Sequence, residues 1–375
     1  MNLAERANFM LLDTIWREIK TDSMTWVRAI SKGEPMSAKP ETSRNKRSIV
    51  STIIVGALVA SVLLVSLFVG NARVIFEAKA YQPAATVEGL PRPDHIVIVF
   101  EENKGYSDVI VSSSAPYLNS LAKQGALLTS YYGLHHPSQP NYLEFFSGSN
   151  QGVCNDTCSA TQFAGPSLGG NLIKKGFTFV GYAEDLAGTP KGASWNSTCT
   201  NCYYALRHAP WIYFKDVPAS ASLDFTSFPW ADEGFAKLPT VSIVIPNLIH
   251  DMHSLPPSST PSNQIPLQVT NGDVWLQRNL DAYVQWAKHH NSLLIVTWDE
   301  DSSTYQYPSN CSRGINTIPP ANHIPAILVG SMVKTNSTSK QQYTHYDLLR
   351  SIEDMYGLPA IGGSQNAKDI TDIWK

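Results

Sequence analysis

The sequence has no surplus of positive charge, and this absence excludes one broad class of function. Its 375 residues contain 28 lysines and arginines against 31 aspartates and glutamates, which gives a formal net charge of -3. Domains that bind nucleic acid are usually basic, so we expect no nucleic-acid partner. The sequence also contains no internal repeat and no glycine-rich nucleotide-binding motif. It therefore resembles neither a repeat protein nor a dinucleotide-binding domain.

Cysteine is scarce, with five residues that fall into two close pairs and one single residue. The pairs are Cys154 with Cys158 and Cys199 with Cys202, and Cys311 is left over. In an oxidising compartment the two pairs would form local disulfides that staple loops. The alternative is a zinc site built from both pairs, although no histidine follows at the spacing of a zinc finger. We favour the disulfides.

One long uncharged stretch separates a polar N-terminal segment from the rest of the chain. Residues 49–70 carry no charged side chain, and a membrane-spanning helix needs about 20 apolar residues. Arg44, Lys46 and Arg47 lie just before the stretch, so the positive-inside rule places residues 1–48 in the cytoplasm. A buried core helix is the alternative, but core helices of this length rarely lack a polar face. We therefore predict a transmembrane helix over 49–70.

Everything after the predicted helix is expected to lie outside the cell membrane. Residues 71–93 contain three prolines and are predicted to form a linker, followed by one folded domain over 94–375. The sequence AKA at 78–80 has the small-x-small form of a signal peptidase site. It lies well beyond the apolar run, so we predict an uncleaved single-pass anchor, with secretion after cleavage as the alternative.

Continuous apolar runs alternate with helical patterns throughout the predicted domain. Runs without polar alternation are typical of strands buried on both faces, as in a parallel sheet; they occur at 95–100, 126–132, 177–182, 240–246, 293–298 and 323–330. Helical spacing of apolar residues is found at 115–125, 274–290 and 345–356. This alternation predicts an α/β fold whose mostly parallel central sheet has helices on both faces. Residues 186 to about 230 lack periodicity and are predicted to form an irregular insertion with packed aromatic residues.

Two of the predicted strands run directly into oxygen-bearing side chains. Glu102 and Asn103 follow one strand, and Asp299 and Glu300 follow another. Open α/β sheets bind ligands at the carboxyl ends of their strands, and hard divalent cations prefer oxygen ligands. Acidic residues also start ordinary polar loops. For the two stretches together, we favour a metal or phosphate site.

A serine between two prolines has two interpretations. Pro137 and Pro140 bracket Ser138 and Gln139, so we predict a turn there, with a helix over 141–147. Ser138 is then either an N-cap residue or a nucleophile at a helix N-terminus, where backbone N–H groups and the helix dipole favour a phosphate. Spacing alone favours the cap.

Five motifs, in this order, make the sequence resemble the phosphoesterase family of bacterial acid phosphatases and phospholipases C, within the alkaline phosphatase-like superfamily. They are FEEN at 100–103, HPSQPNYL at 136–143, PNLIHDMH at 246–253, TWDED at 297–301 and HYDLLRSIEDMYGLP at 345–359. The resemblance implies an alkaline phosphatase-like fold. It also implies one divalent metal ion held by Glu102, Asn103, Ser138, Asp299 and Glu300. Relatives often have aspartate where this chain has Glu300.

The resemblance further implies an activity and its remaining residues. Ser138 is expected to be the nucleophile, which forms a phosphoseryl intermediate, and His136, Asp251 and His253 are expected to surround the phosphate. The implied reaction is the acid phosphatase type, removal of phosphate from phosphomonoesters, with phospholipid head groups such as phosphoinositides among the expected substrates. A phospholipase C-type phosphodiesterase is the first alternative. A non-catalytic surface-binding domain is the second.

Overall fold

A computed structural model of the protein describes part of the chain. The chain divides into Met1–Gln82 and Pro83–Lys375, and all described residues belong to the second unit: 89–157, 162–186, 203–256, 264–303 and 322–375. The predicted cytoplasmic segment at 1–48 and the predicted transmembrane helix at 49–70 lie outside these residues. Within the described ranges, no helix combines the length and apolar character needed to cross a membrane.

A nine-stranded sheet organises the described part of the second unit. Its strands are β1 His95–Glu101, β2 Ala126–Tyr132, β3 Phe179–Ala183, β4 Ser222–Asp224, β5 Val241–Ile245, β6 Ser292–Trp298, β7 His323–Gly330, β8 Ser337–Ser339 and β9 Tyr343–Thr344. They lie in the order β4-β3-β5-β1-β6-β7-β2-β8, with β9 beside β2. The six predicted strands are confirmed as β1, β2, β3, β5, β6 and β7. The short strands β4, β8 and β9 were not predicted.

The sheet is mixed and mostly parallel. Strand β1 pairs in parallel with β5 and β6, so that Ile96 lies opposite both Val241 and Leu293. Strand β7 is antiparallel to β6 and to β2, which leaves β2 pointing the same way as β6. The carboxyl ends of β1, β2, β3, β5 and β6 therefore share one edge of the sheet.

Helices cover both faces of the sheet, as predicted. They are α1 Tyr106–Val109, α2 Pro116–Gln124, α3 Ser138–Ser147, α4 Leu168–Lys174, α5 Asp232–Phe235, α6 Gln264–Ala287 and α7 His345–Met355. His95 contacts Trp286 of α6, whereas Phe100 contacts Phe145 of α3 and His345 of α7. His95 and Phe100 are an odd number of positions apart on β1 and so point to opposite faces. Helix α6 thus covers one face, and α3 and α7 cover the other.

The prediction of a turn at Ser138 is wrong, because helix α3 begins at that residue. Pro137 is the N-cap with extended backbone, and Pro140 lies in the first helical turn. The first N–H groups of a helix have no partner inside it, so a proline there removes no hydrogen bond. Helix α6 likewise begins at Gln264, before the predicted start at 274, and carries Pro266 in its first turn.

The described part of the insertion after β3 packs through aromatic side chains. Trp211 and Phe214 are buried, which confirms their predicted packing role. Trp211 lies directly over Gly181 of β3, where a Cβ atom would come within 2.1 Å of the indole ring. Only glycine leaves room for this contact.

The predicted disulfide pairing falls largely outside the described residues. Cys154 is disulfide-bonded, but Cys158, Cys199, Cys202 and Cys311 are not among the described residues. The pairing therefore stays a prediction.

Candidate active site

The ends of β1 and β6 bring the two predicted acidic stretches together. Glu101 and Trp298 are register partners in the parallel pair, so the residues that follow them leave the sheet side by side. The backbone N–H of Asn103 donates to Asp299 Oδ1 at 3.2 Å, and the Asn103 side-chain amide donates to Glu102 Oε2. All three side chains therefore meet at the carboxyl edge of the sheet.

Ser138 lies between carboxylates from both strands. Its Oγ donates to Glu102 Oε2 at 3.1 Å and to Glu300 Oε1 at 3.3 Å, and its side chain is buried. Ser138 is the first residue of α3 rather than its N-cap, and its hydroxyl contacts carboxylates rather than the helix backbone. The N-cap interpretation is therefore wrong, and the hydroxyl lies inside the acidic cluster.

The three carboxylates of this cluster strongly affect one another. Burial, together with the charges of Glu102 and Glu300, raises the pKa of Asp299 well above its ordinary value. Burial also raises the pKa of Glu300 to about 7, against the opposing contact with His136. Burial acts in the same direction on Glu102, but the His208 contact outweighs it and lowers the pKa of Glu102. Such crowding of buried carboxylates is relieved when a cation binds among them.

The donor set fits a hard divalent cation. Asp299 Oδ2 is buried and has no hydrogen-bond partner among the described residues, and Glu102, Asn103, Ser138 and Glu300 offer further oxygen atoms beside it. Oxygen donors of this kind suit magnesium, calcium or manganese. In the described ranges, no three histidine, cysteine, aspartate or glutamate side chains form a ready-made metal-binding group. The amide of Asn103 and the hydroxyl of Ser138 would add two donors of another kind beside the carboxylates.

His208 also contacts the acidic cluster, although no sequence pattern indicated this. It lies in the short 3-10 helix Leu206–His208 of the insertion and is completely buried. Its Nε2 is 2.9 Å from Glu102 Oε1, and its Nδ1 is 3.3 Å from Asp251 Oδ2. Its ring stacks on Tyr142, whose hydroxyl donates to the same Glu102 Oε1 at 2.7 Å. One oxygen of Glu102 is thus held by two partners, and the other faces Ser138.

Asp251 and His253 lie on the other side of His208. Asp251 accepts a hydrogen bond from the backbone N–H of His253 at 2.8 Å, so it fixes the backbone of His253 rather than its ring. The ring Nδ1 lies 2.8 Å from Ser254 Oγ, and the ring centroid is 6.2 Å from that of His208. Burial lowers the pKa of His253. Both predicted residues therefore lie close to His208, which contacts Glu102.

His136 lies against the acidic end of β6. Its Nδ1 is 3.0 Å from Glu300 Oε2 and its Nε2 is 3.4 Å from Asp301 Oδ1. Burial alone would lower the pKa of His136, but these two carboxylates raise it to about 9. The contacts place His136 as a partner of Glu300 and Asp301, a position that the sequence did not indicate.

Lys104 joins the two loops that carry most of these groups. Its side chain is buried, and its Nζ donates to Asn103 O at 2.9 Å and to Met252 O at 2.7 Å. Asn103 and Met252 both have positive φ, 53° and 73°, which is uncommon for residues other than glycine. One ammonium group therefore holds two left-handed backbone positions in place.

The sequence is similar to a protein-family model and to individual named proteins. A model of the phosphoesterase family matches residues 111–359. The phosphatidylinositol-3-phosphatase of Mycobacterium tuberculosis is 40% identical over 293 residues, which cover 78% of this chain and 87% of that protein. The phosphate-repressible acid phosphatase of Penicillium chrysogenum is 28% identical over 298 residues, or 76% of this chain. This chain spans only 64% of the Penicillium protein.

The fold has a counterpart among solved structures. A protein in the alkaline phosphatase superfamily from Vibrio parahaemolyticus superposes with a TM-score of 0.51 at 13% sequence identity, over 79% of this chain and 76% of that one. At this level of identity the likeness concerns the fold alone. The predicted alkaline phosphatase-like α/β fold is confirmed.

Proposed function

Because the chain belongs to the phosphoesterase family, we propose that it is a phosphomonoester hydrolase that uses Ser138 as its nucleophile. One observation carries the assignment of Ser138: its hydroxyl donates to carboxylates from two different strands, Glu102 and Glu300, at the first residue of a helix. The helix N-terminus favours an incoming phosphate. A nucleophilic hydroxyl and a phosphate-binding position therefore coincide.

The chemistry begins with the Ser138 hydroxyl. Its Oγ attacks phosphorus in line, a Ser138–phosphate bond forms and the bond from phosphorus to the leaving alcohol breaks. The hydroxyl proton passes to one of the two carboxylates that accept its hydrogen bonds, Glu102 or Glu300. Water then hydrolyses the phosphoseryl group and regenerates the serine.

His253 is the residue that we assign to the leaving group. Its Nδ1 contacts Ser254, and Asp251 fixes its backbone, so we assign Nε2 to the substrate. In this position the imidazole donates a proton to the departing alcohol oxygen or a hydrogen bond to a phosphoryl oxygen. His136, held by Glu300 and Asp301, adds positive charge beside the phosphate site.

A single divalent cation is part of the proposal. Glu102, Asn103, Ser138, Asp299 and Glu300 would hold it, and the buried Asp299 Oδ2 without a hydrogen-bond partner among the described residues supports this set. When bound, the cation would neutralise phosphate charge and lower the pKa of the Ser138 hydroxyl.

We further propose that the enzyme acts outside the cell membrane on phosphorylated head groups. The mycobacterial relative is named a phosphatidylinositol-3-phosphatase, which supports phosphoinositides as substrates. The uncharged run at 49–70 and the basic residues before it support a single-pass anchor with the enzyme outside. A protease added to intact cells should therefore remove activity from the cell surface.

The test of the activity is product analysis with the full chain in detergent. We expect inorganic phosphate to be released from p-nitrophenyl phosphate and from phosphatidylinositol 3-phosphate. Release of diacylglycerol from an unphosphorylated phospholipid, without inorganic phosphate, would instead identify a phospholipase C-type phosphodiesterase. No turnover of any of these compounds between acid and neutral pH, with or without added divalent metal, would contradict an enzymatic function.

A further inference from the structure

An ion pair between Asp156 and Arg207 lies beside Ser138, outside the groups considered so far. The backbone N–H of Gln139, the residue after Ser138, donates to Asp156 Oδ1 at 2.9 Å. The other oxygen of the same carboxylate, Oδ2, lies 3.7 Å from Nε of Arg207. Asp156 is thus held by a backbone N–H in the first turn of α3 and by a guanidinium group.

Arg207 lies at the edge of the site, and its side chain is partly exposed although its Nε is buried. It directly precedes His208, which contacts Glu102. The side chains of Arg207 and Asp156 are 20% and 34% exposed, whereas Lys104 is buried against two carbonyl groups. Of these two cations, Arg207 is therefore the one that a ligand from solvent can reach.

The contacts of Asp156 are those that a phosphoryl group would make. Carboxylate and phosphate oxygens bind the same donors, namely backbone N–H groups at a helix N-terminus and the fork of an arginine side chain. A phosphoryl group attacked by Ser138 would lie next to the N–H of Gln139, because the two residues are consecutive in α3. Asp156 already fills this position with an anionic oxygen.

We propose that Arg207 binds the phosphoryl oxygens of the substrate, and that Asp156 occupies Arg207 and the Gln139 N–H until the substrate displaces it. The assignment rests on the proposed function, since it takes Ser138 as the nucleophile. Asp156 then acts as a resident competitor of phosphate. It reduces the affinity for phosphomonoesters and, equally, for the inorganic phosphate that the reaction releases.

The proposal predicts opposite effects for the two members of the pair. Asp156→Asn removes the competing charge but keeps an oxygen for the Gln139 N–H. A partly exposed ion pair is weak, so we expect the Kd for inorganic phosphate and the KM for p-nitrophenyl phosphate to fall about threefold. Arg207→Gln removes a charge-assisted contact to the substrate and should raise both constants by about tenfold or more. Arg207→Lys, which keeps the charge without the fork, should fall between wild type and Arg207→Gln.

The experiment measures phosphate binding by titration calorimetry and steady-state kinetics on the full chain in detergent. The matched control is Asp354→Asn, which breaks another partly exposed arginine–aspartate pair, Arg350–Asp354, and should leave both constants unchanged. If Asp156→Asn does not fold, Asp156→Ser removes the charge and still offers an oxygen to the Gln139 N–H.

The outcomes separate this inference from the proposed function. An active wild type whose phosphate affinity falls or stays the same in Asp156→Asn would overturn the inference and leave the function intact. A wild type that turns over no phosphomonoester, but binds phosphate more tightly after Asp156→Asn, would contradict the function and support only the part of the inference in which Asp156 competes with phosphate. If phosphate binds neither the wild type nor Asp156→Asn, the inference is overturned.

Discussion

Ser138 Oγ lies 3.1 Å from Glu102 Oε2, although 36 residues separate the two in the chain. The contact forms because β1 and β2 point the same way, so the helix that follows β2 begins at the edge where β1 ends. The other oxygen of Glu102 is held by Tyr142 and His208. The position of the proposed nucleophile therefore depends on side chains from three separate stretches of sequence.

Ser138→Ala should abolish turnover. The change removes the attacking oxygen and leaves a methyl group that fits the same space. We expect kcat for p-nitrophenyl phosphate to fall by about a thousandfold or more, with little change in Tm.

The matched control for this change is Ser147→Ala in the same helix. Ser147 is also buried, but its hydroxyl donates to Leu143 O and Ser149 O, outside the acidic cluster. It should lose about 1 kcal/mol of stability and keep its kcat. Equal losses of kcat in Ser138→Ala and Ser147→Ala would contradict the assignment of Ser138 as the nucleophile.

Asp299→Asn should weaken binding of a divalent cation. The change keeps the shape of the side chain but removes the charge from a buried oxygen that has no hydrogen-bond partner among the described residues. Because a ligand that binds only the folded state raises Tm, magnesium, calcium, manganese and zinc can each be tested by thermal unfolding. We expect at least one to raise the Tm of the wild type and to raise that of Asp299→Asn much less. If none of these cations raises the Tm of the wild type, the proposal of a metal site is contradicted.

His208→Ala should damage both stability and activity. It leaves Glu102 and Asp251 buried without their shared partner, and breaking a buried charged pair costs about 3 kcal/mol. Residues that orient metal ligands typically change activity by about 10- to 100-fold, and we expect a loss of that order in kcat. His289→Ala, at an exposed position two residues after the end of α6, is the matched histidine control. Normal kcat in folded His208→Ala would show that Glu102 needs no such support.

Glu353 gives the fold a pH dependence away from the site. Burial raises its pKa from an ordinary 4.5 to about 8, so the folded state keeps a proton that the unfolded chain releases. The free energy of unfolding should therefore fall as the pH rises from about 4.5 to about 8. Glu353→Gln cannot ionise, so its Tm should exceed that of the wild type by a margin that grows over this range. A margin independent of pH would contradict the raised pKa.

Much of the sheet could be predicted from the sequence, because its central strands are buried on both faces. The run Ile96–Phe100 is apolar throughout and is fully buried in β1. The antiparallel direction of β7 could not be predicted, since a strand buried on both faces has the same apolar pattern in either direction. The start of α3 could not be predicted from Pro137 and Pro140, because proline is compatible both with a turn and with the first turn of a helix.

The candidate site could be predicted only where its residues follow buried strands. Glu102 and Asp299 could be found because they end buried strands, and a sheet places strand ends together. His208 lies in an insertion without periodicity, so no sequence pattern indicated that its ring would contact Glu102. Lys104 directly follows the predicted ligand Asn103. This adjacency was the sequence feature that could have indicated its contacts with the backbone of the site.

The most direct test of the proposed chemistry is to trap the phosphorylated enzyme. Wild-type protein mixed with p-nitrophenyl phosphate is quenched in acid within milliseconds, digested and analysed by mass spectrometry. We predict one added phosphoryl group on the peptide that contains Ser138, and none in Ser138→Ala. A phosphoryl group on another residue, or rapid turnover by Ser138→Ala, would contradict the assignment of Ser138 as the nucleophile.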